Sequence, residues 1–160
     1  MLSDDVYRSK LASAFAGIRR AADALSSVAE VEASEGPARL RLALNPRTPG
    51  ACPLELMVRA DQRYDIQIGT EFYEDCPVES IEDFEALISA VAAGDVVTRH
   101  YFSAATGQLR VVETVVRLPG PRLWKRGYTI GQPGKTASAQ ADPSADGSVV
   151  KDRNFLPYKR

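Results

Sequence analysis

Residues 129–136, Thr129-Ile130-Gly131-Gln132-Pro133-Gly134-Lys135-Thr136, depart by one residue from the G-x-x-x-x-G-K-[ST] loop that cradles phosphates. Thr129 stands where that loop carries its first glycine. Such a loop works because the free amides of a helix N-terminus face the phosphates. Here Ala137 to Asp142 offers at most a turn or two of helix before Pro143, and no second, metal-binding strand follows. The segment reads as the exit from a strand, and no cofactor is expected.

His100 is the single histidine, and Cys52 and Cys76 are the two cysteines. Structural zinc sites draw on several Cys and His ligands at short spacings. Both cysteines precede a proline and neither belongs to a Cys-x-x-Cys pair, so reduced, partly buried thiols are expected and no metal is assigned. A Cys–His nucleophile pair needs an orienting third group, which the spacing does not supply. Alternation places His100 on a strand face with Val96, Thr98 and Phe102, an ordinary packing position. No catalytic residue is assigned, and the reading leans away from an enzyme.

Charge is the informative feature. Residues 1–94 hold 16 acidic and 9 basic side chains (−7) and residues 95–160 hold 5 and 11 (+6), which sum to the net −1. No Lys or Arg falls between Arg63 and Arg99, whereas Asp65, Glu71, Glu74, Asp75, Glu79, Glu82, Asp83, Glu85 and Asp95 do. Carboxylates can hold Mg²⁺ or Ca²⁺, but this spacing matches no EF-hand loop. Glu82 and Asp83 suit the positive end of a helix. Glu71, Glu74, Asp75 and Glu79 are then surplus negative charge around Phe72 and Tyr73, two aromatics of the kind that anchor interfaces. The last third carries Arg117, Arg122, Lys125 and Arg126 interleaved with Trp124 and Tyr128, a pattern that can track a phosphate backbone and stack bases.

These residues must be positioned by an α+β fold. Leu11, Phe15, Ile18, Ala22, Leu25 and Ala29 recur at spacings of four and three, which predicts one helix ending before Gly36-Pro37. Alternating strands follow at 39–44, 54–59 and 64–68, the last extending towards Phe72 and Tyr73. Ser80-Ile81-Glu82-Asp83 has the form of a capping box ahead of Ile81, Phe84, Leu87, Ile88 and Val91, with Gly94 at the left-handed C-cap position. Three further strands are expected at 96–102, 109–118 and 123–130. The order α-β-β-β-α-β-β-β predicts an antiparallel sheet of about five to six strands with two helices on one face. Residues 1–131 read as a single domain. Residues 132–160 read as a low-complexity C-terminal tail, whose Val149-Val150 and Phe155-Leu156-Pro157-Tyr158 can dock on the domain or on a partner.

At 160 residues the chain suits one core. No run approaches the roughly 18 apolar residues of a membrane span. The acidic opening lacks the basic and apolar blocks of a secretory signal, so a soluble cytoplasmic protein is expected. Abundant Ala, scarce Asn and Arg in preference to Lys point to a high-GC bacterial gene. The expected function is a noncatalytic protein-interaction module (an inhibitor, immunity-like factor or complex subunit) that binds a basic partner through the acidic surface around residues 64–85. The alternative is a nucleic-acid-binding accessory protein using the basic and aromatic C-terminal strands. Acidic and basic regions complementing each other, across a homo-oligomer or within one molecule by the tail folding back, is the third arrangement these charges allow.

Overall fold

The first helix, α1 (Asp4–Asp23), buries Tyr7, Leu11, Phe15, Ile18 and Ala22 along one stripe. It stops twelve residues before Gly36-Pro37, the end expected from sequence, because Ser26, Ser27 and the period-two alternation from Ala29 outweigh the stripe that Leu25 and Ala29 continue. Ala24 to Val28 form turns, and Glu30 and Glu32 then alternate with Val31 and Ala33. That period-two segment is a strand, β1 (Ala29–Glu35), paired antiparallel to β2 (Arg39–Pro46). In the computed structural model, which describes residues 2–131 and 148–158, the chain continues as a meander: β3 (Leu54–Arg59), β4 (Arg63–Ile68) and β5 (Glu71–Pro77).

One face of this five-stranded sheet is lined by Leu40, Leu42, Leu44, Leu56, Val58, Ile66 and Ile68, each at most 2% exposed. Such a side chain contributes about 1.5–3 kcal/mol on full burial. The helix α1 rests on β1 and β2 and against α2 (Asp83–Ala92), which in turn reaches the second sheet. The expected capping box does not form. Glu82 is the N-cap, no side chain caps the helix, and the Ser80 hydroxyl donates to Glu82 Oε2 at 2.9 Å instead.

The second sheet has the order β8-β7-β6-β9, from β6 (Val96–Phe102), β7 (Leu109–Arg117), β8 (Leu123–Thr129) and β9 (Val149–Asn154). The fold is thus α+β as expected, with nine strands in two antiparallel sheets among the described residues. Two of the additional strands are β1, hidden in the helix reading, and β9, which lies in the stretch read as tail. Residues 132–147, the bulk of that tail, lie outside the described residues.

Beyond β9 the chain crosses from the second sheet to the first. Leu156 N–H donates to Gly50 O at 2.9 Å, and Tyr158 N–H donates to Ala92 O at 2.8 Å. Thr48 Oγ1 donates to Tyr158 O at 3.0 Å, and the Tyr158 hydroxyl donates to Cys52 O. Phe155 and Tyr158 are buried in the same core as the helices. This close crossing depends on Gly94 at φ +81°, where a Cβ would sit 2.9 Å from Pro157 N and 3.0 Å from Phe155 O.

Gly107, at φ +70°, has open space around it. Gly107→Ala is expected to lose about 1–2 kcal/mol for its left-handed backbone alone. Gly94→Ala is expected to lose roughly twice that, because the crossing backbone must also move. Urea denaturation of the two variants measures the difference. Equal losses would mean that residues 155–158 contribute nothing to stability.

Candidate functional site

Alternation along β5 divides the expected binding residues between two faces. Phe72 and Glu74 point outward, with Phe72 44% exposed, whereas Tyr73 is 1% and Glu71 9% exposed. The Tyr73 hydroxyl shares a 2.8 Å hydrogen bond with Thr114 Oγ1 of β7, and Tyr128 of β8 donates to Glu71 Oε2 at 2.7 Å. These two residues join the sheets. Burial first, and then the Glu71 carboxylate, push the Tyr128 phenol above its usual range.

Asp75 stands at an irregularity in the β4–β5 register, at φ 54°. Its free N–H donates to Asp65 Oδ1 at 2.7 Å, which holds the bend. Arg59 on β3 lies among three carboxylates: Asp61 Oδ1 and Asp65 Oδ2 each at 3.2 Å, and Asp75. Arg63 adds a 3.2 Å bond to the Asp75 carbonyl. At this corner Arg59 and Arg63 (+2) face Asp61, Asp65, Glu74 and Asp75 (−4), so −2 remains.

The second part of the acidic run is answered from elsewhere. Asp83 pairs with Arg122 at 2.7 Å, Glu82 with Lys10 at 3.1 Å and Glu79 with Arg126 at 3.7 Å. With Glu85 that is −4 against +3. The region holds a modest negative surplus in two places, separated by the β5–α2 connection. Surface pairs of this kind contribute about 0–1 kcal/mol each.

The basic and aromatic strands are also spent internally. Trp124 Nε1–H donates to the Tyr64 hydroxyl at 2.8 Å, and its ring meets Tyr73 edge-on at 5.9 Å. Trp124 and Tyr128 are half-buried. Arg126 is 7% exposed, with its guanidinium 5.5 Å from the Trp124 ring. Arg117 and Arg122 are exposed, and Lys125 reaches Glu113 Oε2 at 3.2 Å.

Glu113 itself, in the centre of β7, was not singled out from sequence. It is 2% exposed, Oε2 accepts no hydrogen bond among the described residues, and the Lys125 contact is purely ionic. Arg99 NH1 lies 3.9 Å from Oε1. The signal was present in the sequence: an acid inside Val111-Val112-Glu113-Thr114-Val115-Val116 is a carboxylate on a strand with apolar residues on both faces.

Cys52 and Cys76 are free and buried. Their thiols donate to Pro53 O at 3.4 Å and Glu74 O at 3.9 Å, and His100 is half-buried on β6. Burial pushes Cys52 up to about 12, an effect eased by the Gly69 N–H and by Arg153. Burial raises Cys76 as well, moderated by Arg126. Both thiols are held in their unreactive neutral form at neutral pH. No group of three or more His, Cys, Asp or Glu is placed to hold a metal among the described residues. Gly131 of the loop at 129–136 is described, and Gln132 to Thr136 lie outside the described residues. No described helix is long and apolar enough to cross a membrane. No protein-family model, curated protein or solved structure matches the chain.

Cys52 ionises near 9.0 when unfolded and near 12 when folded, so between those values the native state binds more protons and stability falls as pH rises. Cys52→Ala is expected to flatten that fall by up to one proton, read from urea midpoints between pH 9 and 12. Native protein at pH 8 is likewise expected to react with a thiol reagent only at its unfolding rate. Rapid labelling of either cysteine would refute the burial of both thiols.

Proposed function

We propose that this chain is a noncatalytic protein-interaction module, an inhibitor, immunity-like factor or complex subunit, that binds a basic partner through the outer face of its five-stranded sheet at the β4–β5 edge. One observation carries the reading: Phe72, 44% exposed, stands beside Glu74 on a sheet face that neither helix nor second sheet covers. The other face of the same sheet holds the core. The outer one presents Met57, Gln67 and Phe72 among side chains of both signs.

The charge arithmetic sets the kind of partner. Arg59 compensates one of its three neighbouring carboxylates, Arg63 a second, and Glu74 adds another, so a surplus of −2 remains at this corner, with Glu74 two residues along β5 from Phe72. An aromatic anchor on a face with a net negative surplus suits a partner with an apolar pocket and a basic rim, because the charges steer approach and the ring supplies desolvated contact. Glu71 and Tyr73 act as supports. By joining β5 to the second sheet they hold the edge in place.

A photo-crosslinking amino acid at position 72 or 74, in cells that make this protein, is expected to capture a partner that the same probe at Leu2 does not. Phe72→Ala is expected to weaken capture about tenfold or more, and Glu74→Lys about threefold with a weaker salt dependence. Both residues are exposed, so thermal midpoints should stay within about 2 °C. A partner captured equally well by both variants would place the interface elsewhere.

A further inference from the structure

Between α2, the loop after β5 and strand β8 lies a cavity of about 80 Å³. Phe84 and Leu87 of α2, Leu118 and the Trp124 ring give it apolar walls. That is room for several waters or one small side chain, and well below the roughly 300 Å³ and more of sites for drug-sized ligands. It lies on the inner side of β4, away from Phe72 and Glu74.

Two donors line this cavity. Arg126 is 93% buried, taking its 7% exposure as the remainder, and it lies against the cavity wall. Its NH1 donates to Lys125 O at 2.8 Å, and its NH2 stands 3.7 Å from Glu79 Oε1. Glu79 is itself 76% exposed, so a largely buried guanidinium is countered only loosely, by a side chain that lies mostly in water. A buried charge without a close counterion is costly, and a carboxylate in bidentate contact is the usual solution. Tyr64, 4% exposed, is the second donor. Its oxygen accepts from Trp124 Nε1 at 2.8 Å, and its own hydrogen has no acceptor among the described residues. The other acid at the rim, Asp83, is engaged by Arg122 at 2.7 Å.

We infer that this cavity binds a carboxylate carrying a short branched apolar group, with Arg126 and Tyr64 donating to the carboxylate and the Phe84, Leu87 and Leu118 walls enclosing the apolar part. Glu79 occupies the place of the ligand's charge and swings into solvent on binding. The same chemistry is offered by a free short-chain acid and by the C-terminal residue of a peptide. This site does not depend on the outer sheet face, and either can fail without the other.

Trp124 is the single tryptophan, so its fluorescence and indole N–H resonance report on the cavity alone. Isovalerate is expected to shift both saturably, with a dissociation constant of about 1–10 mM for so few atoms. Isovaleramide, the uncharged isostere, should bind at least about tenfold more weakly. Tyr64→Phe should cost about threefold. Glu79→Gln, at an exposed position that leaves the fold intact, should tighten binding about two- to fivefold by removing the competing charge. A short peptide ending in Leu with a free C-terminus, compared with its C-terminal amide, identifies the source. Tighter binding than isovalerate points to a protein terminus, and weaker binding to a free acid. No saturable shift up to about 50 mM, equal binding of acid and amide, or no gain from Glu79→Gln would each overturn the assignment.

Discussion

Among the described residues no strand of one sheet pairs with a strand of the other. Beyond the backbone crossing after β9 the sheets are therefore joined by side chains, and that task falls to the seam between β4–β5 and β7–β8. Three hydrogen bonds cross it: Trp124 to Tyr64, Tyr73 with Thr114, and Tyr128 to Glu71. Each adds about 1 kcal/mol net, but losing one partner strands a buried polar atom at about 1–3 kcal/mol. The aromatic rings around them supply area and fixed geometry at the same time. Backbone pairing would have demanded a straight free edge on β5, and the bend at Asp75 removes it. The second sheet therefore meets the first through rings and hydroxyls, and the position of α2 follows, since it lies between α1 and β7.

That seam explains why charge along the chain overstated charge on the surface. A run of nine carboxylates without Lys or Arg becomes, once folded, one buried acceptor (Glu71), a corner answered by Arg59 and Arg63, and a helix entry answered by Lys10, Arg122 and Arg126. The compensating cations come from strands and a helix as distant as α1 and β8. Contacts of that range cannot be read from spacing. A net surplus survives where the cations run out, at the corner of β4 and β5.

Much of the architecture was legible because hydrophobic period is local. Leu40, Leu42 and Leu44, then Leu54, Leu56 and Val58, alternate cleanly and all are buried. Residues 24–35 misled because Leu25 and Ala29 happen to continue the helical stripe, while two serines and alternating glutamates argue for a turn and a strand. Strand β9 was unreadable for a different reason. None of its six residues is buried, so its sequence carries no pattern of inside and outside, and its place is set by pairing with β6 and by Phe155 and Tyr158 beyond it. On β5 the alternation was there to be read, and it would have separated Phe72 from Tyr73. Glu71 and Glu74 flank the two aromatics in sequence but face opposite ways across the sheet.

Glu113 shows how the second sheet chooses its register. Along β7 apolar residues occupy both faces, so a slip by one residue would exchange Val for Val or Thr at most positions and lose little burial. Glu113 breaks that degeneracy. In the observed register it lies beside Arg99 of β6 and Lys125 of β8, and Arg99 continues to Asp152 of β9 at 3.5 Å. A one-residue slip would take the carboxylate away from both Arg99 and Lys125 and turn it to the inner face, where Thr114 now meets the Tyr73 hydroxyl and the cross-strand cation is Arg126 alone. A buried ion pair adds little net stability, because desolvation offsets most of the attraction, but parting a buried carboxylate from its cations costs several kcal/mol. The charge thus works by penalising the wrong pairing, and through it the four strands, the seam and the edge that carries Phe72 are held in one arrangement.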